Sequence, residues 1–238
     1  MDIKLGNKDI PFIYQGNELL YPNPIKDGLV LWYDFKGMSN NDKTRDVAVD
    51  LSGNGNHGTL QNFNYTEESG YKKSGLYFDG IDDFVSIPKL KDSQTLSFFV
   101  NLNVLNTEDN YVVKFTSGNF FFRVGYNGSI QMNVQCYNGK NYSYESIKSE
   151  GIFTDIKENK YVGVVIDEDL VILYSNGEEV VRKKLQANVL PFNIENLGRW
   201  RNNYGKVNIH SFFLYDRVLT SEEILHNYKN EKERFGIE

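Results

Sequence analysis

A single cysteine in 238 residues excludes an internal disulfide, so stability must come from packing, hydrogen bonding, assembly or a bound ion. Basic residues are in deficit: 26 Lys and Arg face 32 Asp and Glu, a formal net charge of −6. Binding along a phosphate backbone needs a basic stripe that releases counterions, so nucleic acid is not an expected partner. No run of about 18 apolar residues occurs, and the opening Met1-Asp2-Ile3-Lys4-Leu5-Gly6-Asn7 lacks the apolar segment of a secretory leader. The expectation is a chain with no signal peptide and no membrane insertion. Proline is also scarce, at 5 residues.

Aromatic residues are plentiful: Tyr and Phe number 16 each, a composition that suits pleated, half-buried surfaces. In Ser129-Ile130-Gln131-Met132-Asn133-Val134-Gln135-Cys136 every second residue is apolar, the pattern of a strand with one wet face. This places Cys136 on the apolar side as a core thiol rather than a nucleophile. Further strands are expected at 28–35, 75–87, 96–105, 112–115, 119–126, 160–167, 170–175, 178–184 and 207–215. Asn176-Gly177 between two of these runs tolerates the positive φ angles of a two-residue hairpin turn, and Asn127-Gly128 reads as the same device. Asp167-Glu168-Asp169 reads as a solvated turn. Many short strands joined by turns predict a sandwich or barrel, not alternating βα units.

One helix is expected, at the C-terminal end, where Thr220 can cap the free amides while Glu223 reaches back and Ile224, Leu225 and Tyr228 form an apolar stripe. Asp216-Arg217 before it reads as a local ion pair. Residues 1–24 form a separate arm, with a turn at Gly16-Asn17. A hairpin this small cannot bury its own apolar face, so it must dock on the sandwich or on a partner chain.

Four landmarks stand in order: Gly28-Leu29-Val30-Leu31-Trp32-Tyr33-Asp34-Phe35, Asp50-Leu51-Ser52-Gly53-Asn54-Gly55-Asn56-His57-Gly58-Thr59, Leu76-Tyr77-Phe78-Asp79-Gly80-Ile81-Asp82-Asp83-Phe84-Val85, and Phe213 through Ile224. Together they resemble the laminin-G-like, concanavalin A-like jelly-roll family over about residues 25–230. The resemblance implies an all-β, two-sheet antiparallel jelly-roll sandwich over residues 25–238. It also implies loops that in relatives bind carbohydrate or protein and sometimes calcium. Lys4 to Ile10 followed by Ile13 to Pro22 resembles the leader of tail and baseplate proteins of phages from Gram-positive hosts.

Catalytic relatives of this fold, the laminarinase-like glycosidases, place carboxylates at alternating positions on one strand. No Glu-x-Asp-x-x-Glu run exists here, and His57, His210 and His226 are too scattered for a metal triad. A non-enzymatic role is expected. In the 50–57 loop, Asp50, Asn54 and Asn56 could supply oxygen ligands to calcium, the alternative being a tight loop whose Asp50 bonds local amides. Asp79 reads as the brace of a turn. For ligand contact, Arg199, Trp200, Arg201, Asn202 and Tyr204 sit in a polar loop bounded by Gly198 and Gly205, where an aromatic can stack on a sugar ring. The alternative is that Trp200 folds back over a sheet edge. Tyr137, with Tyr142 and Tyr144, forms a second candidate in the loop after Cys136.

The expected function is that of a phage tail or tail-like receptor-binding protein that recognises a bacterial surface glycan. Its setting would be a virion tail or tail-like particle assembled in the bacterial cytoplasm. The expected assembly is a homo-oligomer, a trimer in preference, with other tail proteins bound through the arm. The alternative is a structural virion or cell-surface protein that contacts only protein.

Overall fold

The computed structural model describes residues 4–5, 8–9, 12–15, 18–72, 74–106, 108–115, 120–125, 127–155 and 158–237. Two eight-stranded antiparallel sheets face each other, and the helix Ser221–Phe235 follows the last strand. The expected all-β sandwich with one C-terminal helix is the observed architecture.

The first sheet orders its strands as Glu178–Lys184, Leu170–Ser175, Asn159–Asp167, Thr95–Val104, Val207–Tyr215, Gly75–Tyr77 and Gly70–Lys72, with Leu29–Asp34 also paired to Val207–Tyr215. The second runs Tyr142–Ser149, Ile130–Tyr137, Phe121–Val124, Asn110–Phe115, Ile194–Leu197, Phe84–Ser86, Gly58–Gln61 and Val47–Ala48. Between them the inward side chains interlock. Phe98 meets Phe122 edge-on with ring centroids 5.5 Å apart, and Phe115 meets Phe192 at 5.2 Å. Each fully buried Phe contributes roughly 1.5–3 kcal/mol.

The outer face of the first sheet is covered. There Trp32 stacks on Phe213 and Phe99 on Tyr161, and the helix adds Ile224 to this second apolar cluster. Thr220 and Glu223 form the expected capping box, and Gly236 closes the helix with a left-handed φ of 62°. Buried charge locks the helix in place. Arg234 bonds Asp34 and Glu231, while Glu231 accepts from Asn101 Nδ2 (3.1 Å) and from Ser211 Oγ. Such a cluster is tolerable out of water only because each charge finds a partner.

The arm docks on this chain's own helix. Phe12 and Tyr21 lie over the Arg234 guanidinium at 5.6 and 5.9 Å, and the Asn23 carbonyl accepts from Asn230 Nδ2 at 3.0 Å. The expected turn at Gly16-Asn17 lies outside the described residues.

Three local expectations change. The run 75–87 is two strands, one in each sheet, because the turn at 79–83 carries the chain across the sandwich. Arg217 pairs with Glu223 (2.6 Å) and Asp27 (2.8 Å) rather than with its neighbour Asp216. At Asn127-Gly128 the register Val124↔Ile130 leaves a five-residue connection, 125–129, and only Gly128 of that pair has positive φ. Asn176 and Gly177 do form the two-residue turn, at φ 49° and 82°. Asn119 and Tyr126, the ends of the expected strand 119–126, lie outside the described residues.

Candidate functional site

The two sheets differ in what covers them. Inward residues of the second sheet, such as Ile130, Met132, Val134 and Cys136, are fully buried, while Gln131, Asn133 and Gln135 between them are half-buried. Strand alternation therefore gives this sheet a distinct outer face. Strand pairing sets its side chains in rows. One row runs across the entire sheet: Ser146, Asn133, Phe121, Lys114, Asn196, Ser86, Thr59 and Val47. A parallel row holds Lys148, Gln131, Arg123 and Tyr111. The row residues contribute hydroxyls, amides and ring faces to one surface. Its charges pair off, Lys114 with Glu195 at 2.6 Å and Arg123 with Asp109.

The expected ligand loop is a hairpin at the end of this face. Arg199 pairs with Tyr204 and Trp200 with Asn203, leaving Arg201 and Asn202 at the exposed turn with Arg201 at φ 56°. Gly198 precedes it at φ 86°, against Phe78 and the Asp83 carbonyl, where a Cβ would come within 2.4 Å of the Phe78 ring. Trp200 does not project into solvent. It lies on the outer face, stacked on Tyr111 at 5.1 Å and tilted against Phe121 at 4.9 Å. Arg201 sits over the indole at 4.6 Å, and Arg199 over Phe84 at 3.7 Å. The structure thus joins Arg199, Trp200 and Arg201 to Tyr111 and Phe121, which sequence reasoning missed. Tyr111 shares its strand with the inward Phe115 and Phe121 with the inward Phe122, so alternation does not mark either as outward.

Tyr137, Tyr142 and Tyr144 are not in a loop. Tyr137 ends the strand Ile130–Tyr137, and the other two lie on Tyr142–Ser149, where Tyr142 pairs with Tyr137 and their rings stand 4.9 Å apart. All three are exposed, at 40%, 64% and 57%, and form an aromatic margin at the far edge of the same face.

Asp50, Asn54 and Asn56 do come together, but around backbone. Asp50 Oδ1 accepts from the amides of Trp32 (3.0 Å) and Ser52 (2.9 Å), and Oδ2 from Ser52 Oγ (2.8 Å) and the Asn56 amide (2.9 Å). The Nδ2 groups of Asn54 and Asn56 both donate to the Val30 carbonyl. A carboxylate with four protein donors is a loop brace, and this donor set does not fit calcium, which needs those oxygens for itself. Carboxylate oxygens of Asp79, Asp82 and Asp83 lie within 4.8 Å of one another. There Asp79 Oδ1 accepts from the Ile81 amide at 2.7 Å, as expected for the turn, and Asp83 accepts from Ser69 Oγ and the Asp79 amide. Burial raises the Asp83 carboxyl to about 6.

Two stacked antiparallel sheets, one covered by a helix and one presenting an aromatic and amide-rich face, define a lectin-like β-sandwich. The family model of the concanavalin A-like lectin/glucanase superfamily matches residues 78–225, more than half of the chain, and the chain belongs to that superfamily. No curated protein sequence matches it. Among solved structures, it is similar to the botulinum neurotoxin serotype D ligand-binding domain in complex with N-acetylneuraminic acid. The identity is 15%, with 87% of this chain and 52% of that one covered and a TM-score of 0.62. It is also similar to the sialidase of Trypanosoma rangeli, at 14% identity, 86% and 33% coverage and a TM-score of 0.55. The chain spans about half of the former and a third of the latter, and identity this low shows the shared fold.

Proposed function

We propose that the open sheet face is a carbohydrate-binding surface and that the chain is a non-catalytic binding protein. The observation that carries this reading is the Tyr111–Phe121–Trp200 cluster, set among row residues with amide and hydroxyl groups on the sheet face that no helix covers. A sugar ring offers an apolar C–H face for such a platform and hydroxyls for the amides. The superfamily membership and the sialic acid complex of a similar fold support it. Glycoside hydrolysis needs two carboxyl groups facing one sugar. Here the carboxylates beside the rows, Glu195 and Asp109, are each ion-paired.

One aromatic platform with a few hydrogen bonds gives about millimolar affinity, and joining copies on one particle raises avidity roughly a hundred- to ten-thousand-fold. This suits a homo-oligomeric, trimeric tail or tail-like receptor-binding protein that recognises a bacterial surface glycan. The resemblance of residues 4–22 to tail and baseplate leaders supports that setting. The test is a glycan array together with bacterial cell binding competed by free saccharide. Saturable binding that competes away supports the proposal, and a folded protein blank in both assays overturns it.

A further inference from the structure

Asn196 occupies the middle of the long row, with Lys114 and Ser86 as its register neighbours. Leu197 beside it pairs with Val85 and Val113 in the inner core, so alternation turns the Asn196 position toward the open face. Its side chain is 1% exposed, and neither Oδ1 nor Nδ2 meets a hydrogen-bonding partner among the described residues. A carboxamide stripped of water and given nothing in return destabilises the fold. Leucine has nearly the same shape and would avoid that cost. Trp200 Nε1 is a second buried donor without a partner, on the hairpin that continues the same strand.

We infer that Asn196 is the polar anchor of a saccharide subsite that takes uncharged sugars presenting two adjacent hydroxyl groups. This rests on the reading of the open face as glycan-binding. The carboxamide matches such a pair: Nδ2 donates to one hydroxyl oxygen while Oδ1 accepts from the next hydroxyl. The row offers no unbalanced charge, because the Lys114 ammonium is bound to Glu195 at 2.6 Å and Ser146, Asn133, Ser86 and Thr59 are neutral. An anionic sugar would meet Glu195 or have to break its pair. Lys114 and Ser86 flank the amide, and a shift of the Lys114 side chain together with its bound Glu195, which is 40% exposed, would open the way to it. Phe121, the register partner of Lys114 on the other side, is 7% exposed and supports Trp200 and Tyr111 from beneath, beside the subsite.

The test is the Asn196→Leu variant of the full chain, read by thermal melting and by an array of neutral hexose- and N-acetylhexosamine-terminated glycans alongside N-acetylneuraminic acid-terminated ones. The expected result is neutral-glycan binding by the unaltered protein, weakened at least about tenfold in the variant, and a melting midpoint raised by about 2–6 °C. A lowered midpoint would show that bonds within the fold or an internal water already satisfy the amide, which overturns the inference. So would unchanged neutral-glycan affinity in the variant, or a preference for the acidic glycans, and either result would leave the glycan-binding reading of the face standing. An array blank for the unaltered protein removes both.

Discussion

Trp200 stacks on Tyr111 with ring planes 17° apart, although 88 residues of chain lie between them. The hairpin that carries Trp200 packs on the open face through this contact and the one to Phe121, with the Gly198 amide bonded to the Val112 carbonyl and Arg199 over Phe84. Trp200→Ala removes two aromatic pairs worth roughly 0.5–1.5 kcal/mol each beyond area burial. A loss of about 2 kcal/mol in denaturant unfolding is expected, with the two-sheet fold retained. A global collapse would show that the hairpin belongs to the folding core.

Asp50 braces its loop with both carboxylate oxygens, and Asp50→Ala leaves the amides of Trp32, Ser52 and Asn56 without their acceptor. The expected cost is about 2–4 kcal/mol. Chelator treatment of the unaltered protein should leave its melting midpoint in place. A chelator-induced fall that matches the variant, and is absent from it, would restore the calcium reading of the loop.

His210 is buried, with Nδ1 3.0 Å from the Ser74 carbonyl, and burial lowers its pKa from 6.5 to about 4. In the unfolded chain the ring gains a proton below about 6.5, whereas the folded state resists it until about 4. The neutral ring's contribution is therefore complete above 6.5 and lost as pH falls through about 4. Asp83 acts in the opposite sense, since its raised pKa favours the folded state most at low pH and that contribution fades as pH rises from about 4 to about 6. Melting against pH should show a shallower decline from 6.5 to 4 in His210→Gln than in the unaltered protein. Equal slopes would place the acid sensitivity elsewhere.

Cys136 is buried, and burial, with the nearby Glu145 charge, raises its thiol to about 11. A thiol reagent at pH 8 should leave the folded protein unlabelled and modify one site per chain on denaturation. Rapid labelling of the native state would contradict the core placement.

Much of this fold is legible in the sequence because burial on one face writes period-two alternation into strands such as Ile130–Tyr137, and the Thr220–Glu223 box writes the helix start. Where the physics erases the pattern, the reading fails. Tyr142–Ser149 is an edge strand with one buried residue, Ile147, so it looked like a tyrosine-rich loop. Ile194–Leu197 buries the outward Asn196 as well as its inward neighbours, so no alternation remains to mark the strand. The candidate site was visible in its hairpin and in the tyrosine margin of Tyr137, Tyr142 and Tyr144. Tyr111, Phe121 and Asn196 join it through strand pairings that connect residues far apart in the chain.

The most direct test uses tryptophan emission. The protein has two tryptophans: Trp32 lies 2% exposed beneath the helix layer, and Trp200 lies on the open face. Titration with a saccharide identified on the array should shift the emission saturably, and Trp200→Phe should abolish the shift. A saccharide that binds by calorimetry yet leaves Trp200 emission untouched would contradict the assignment of the open sheet face.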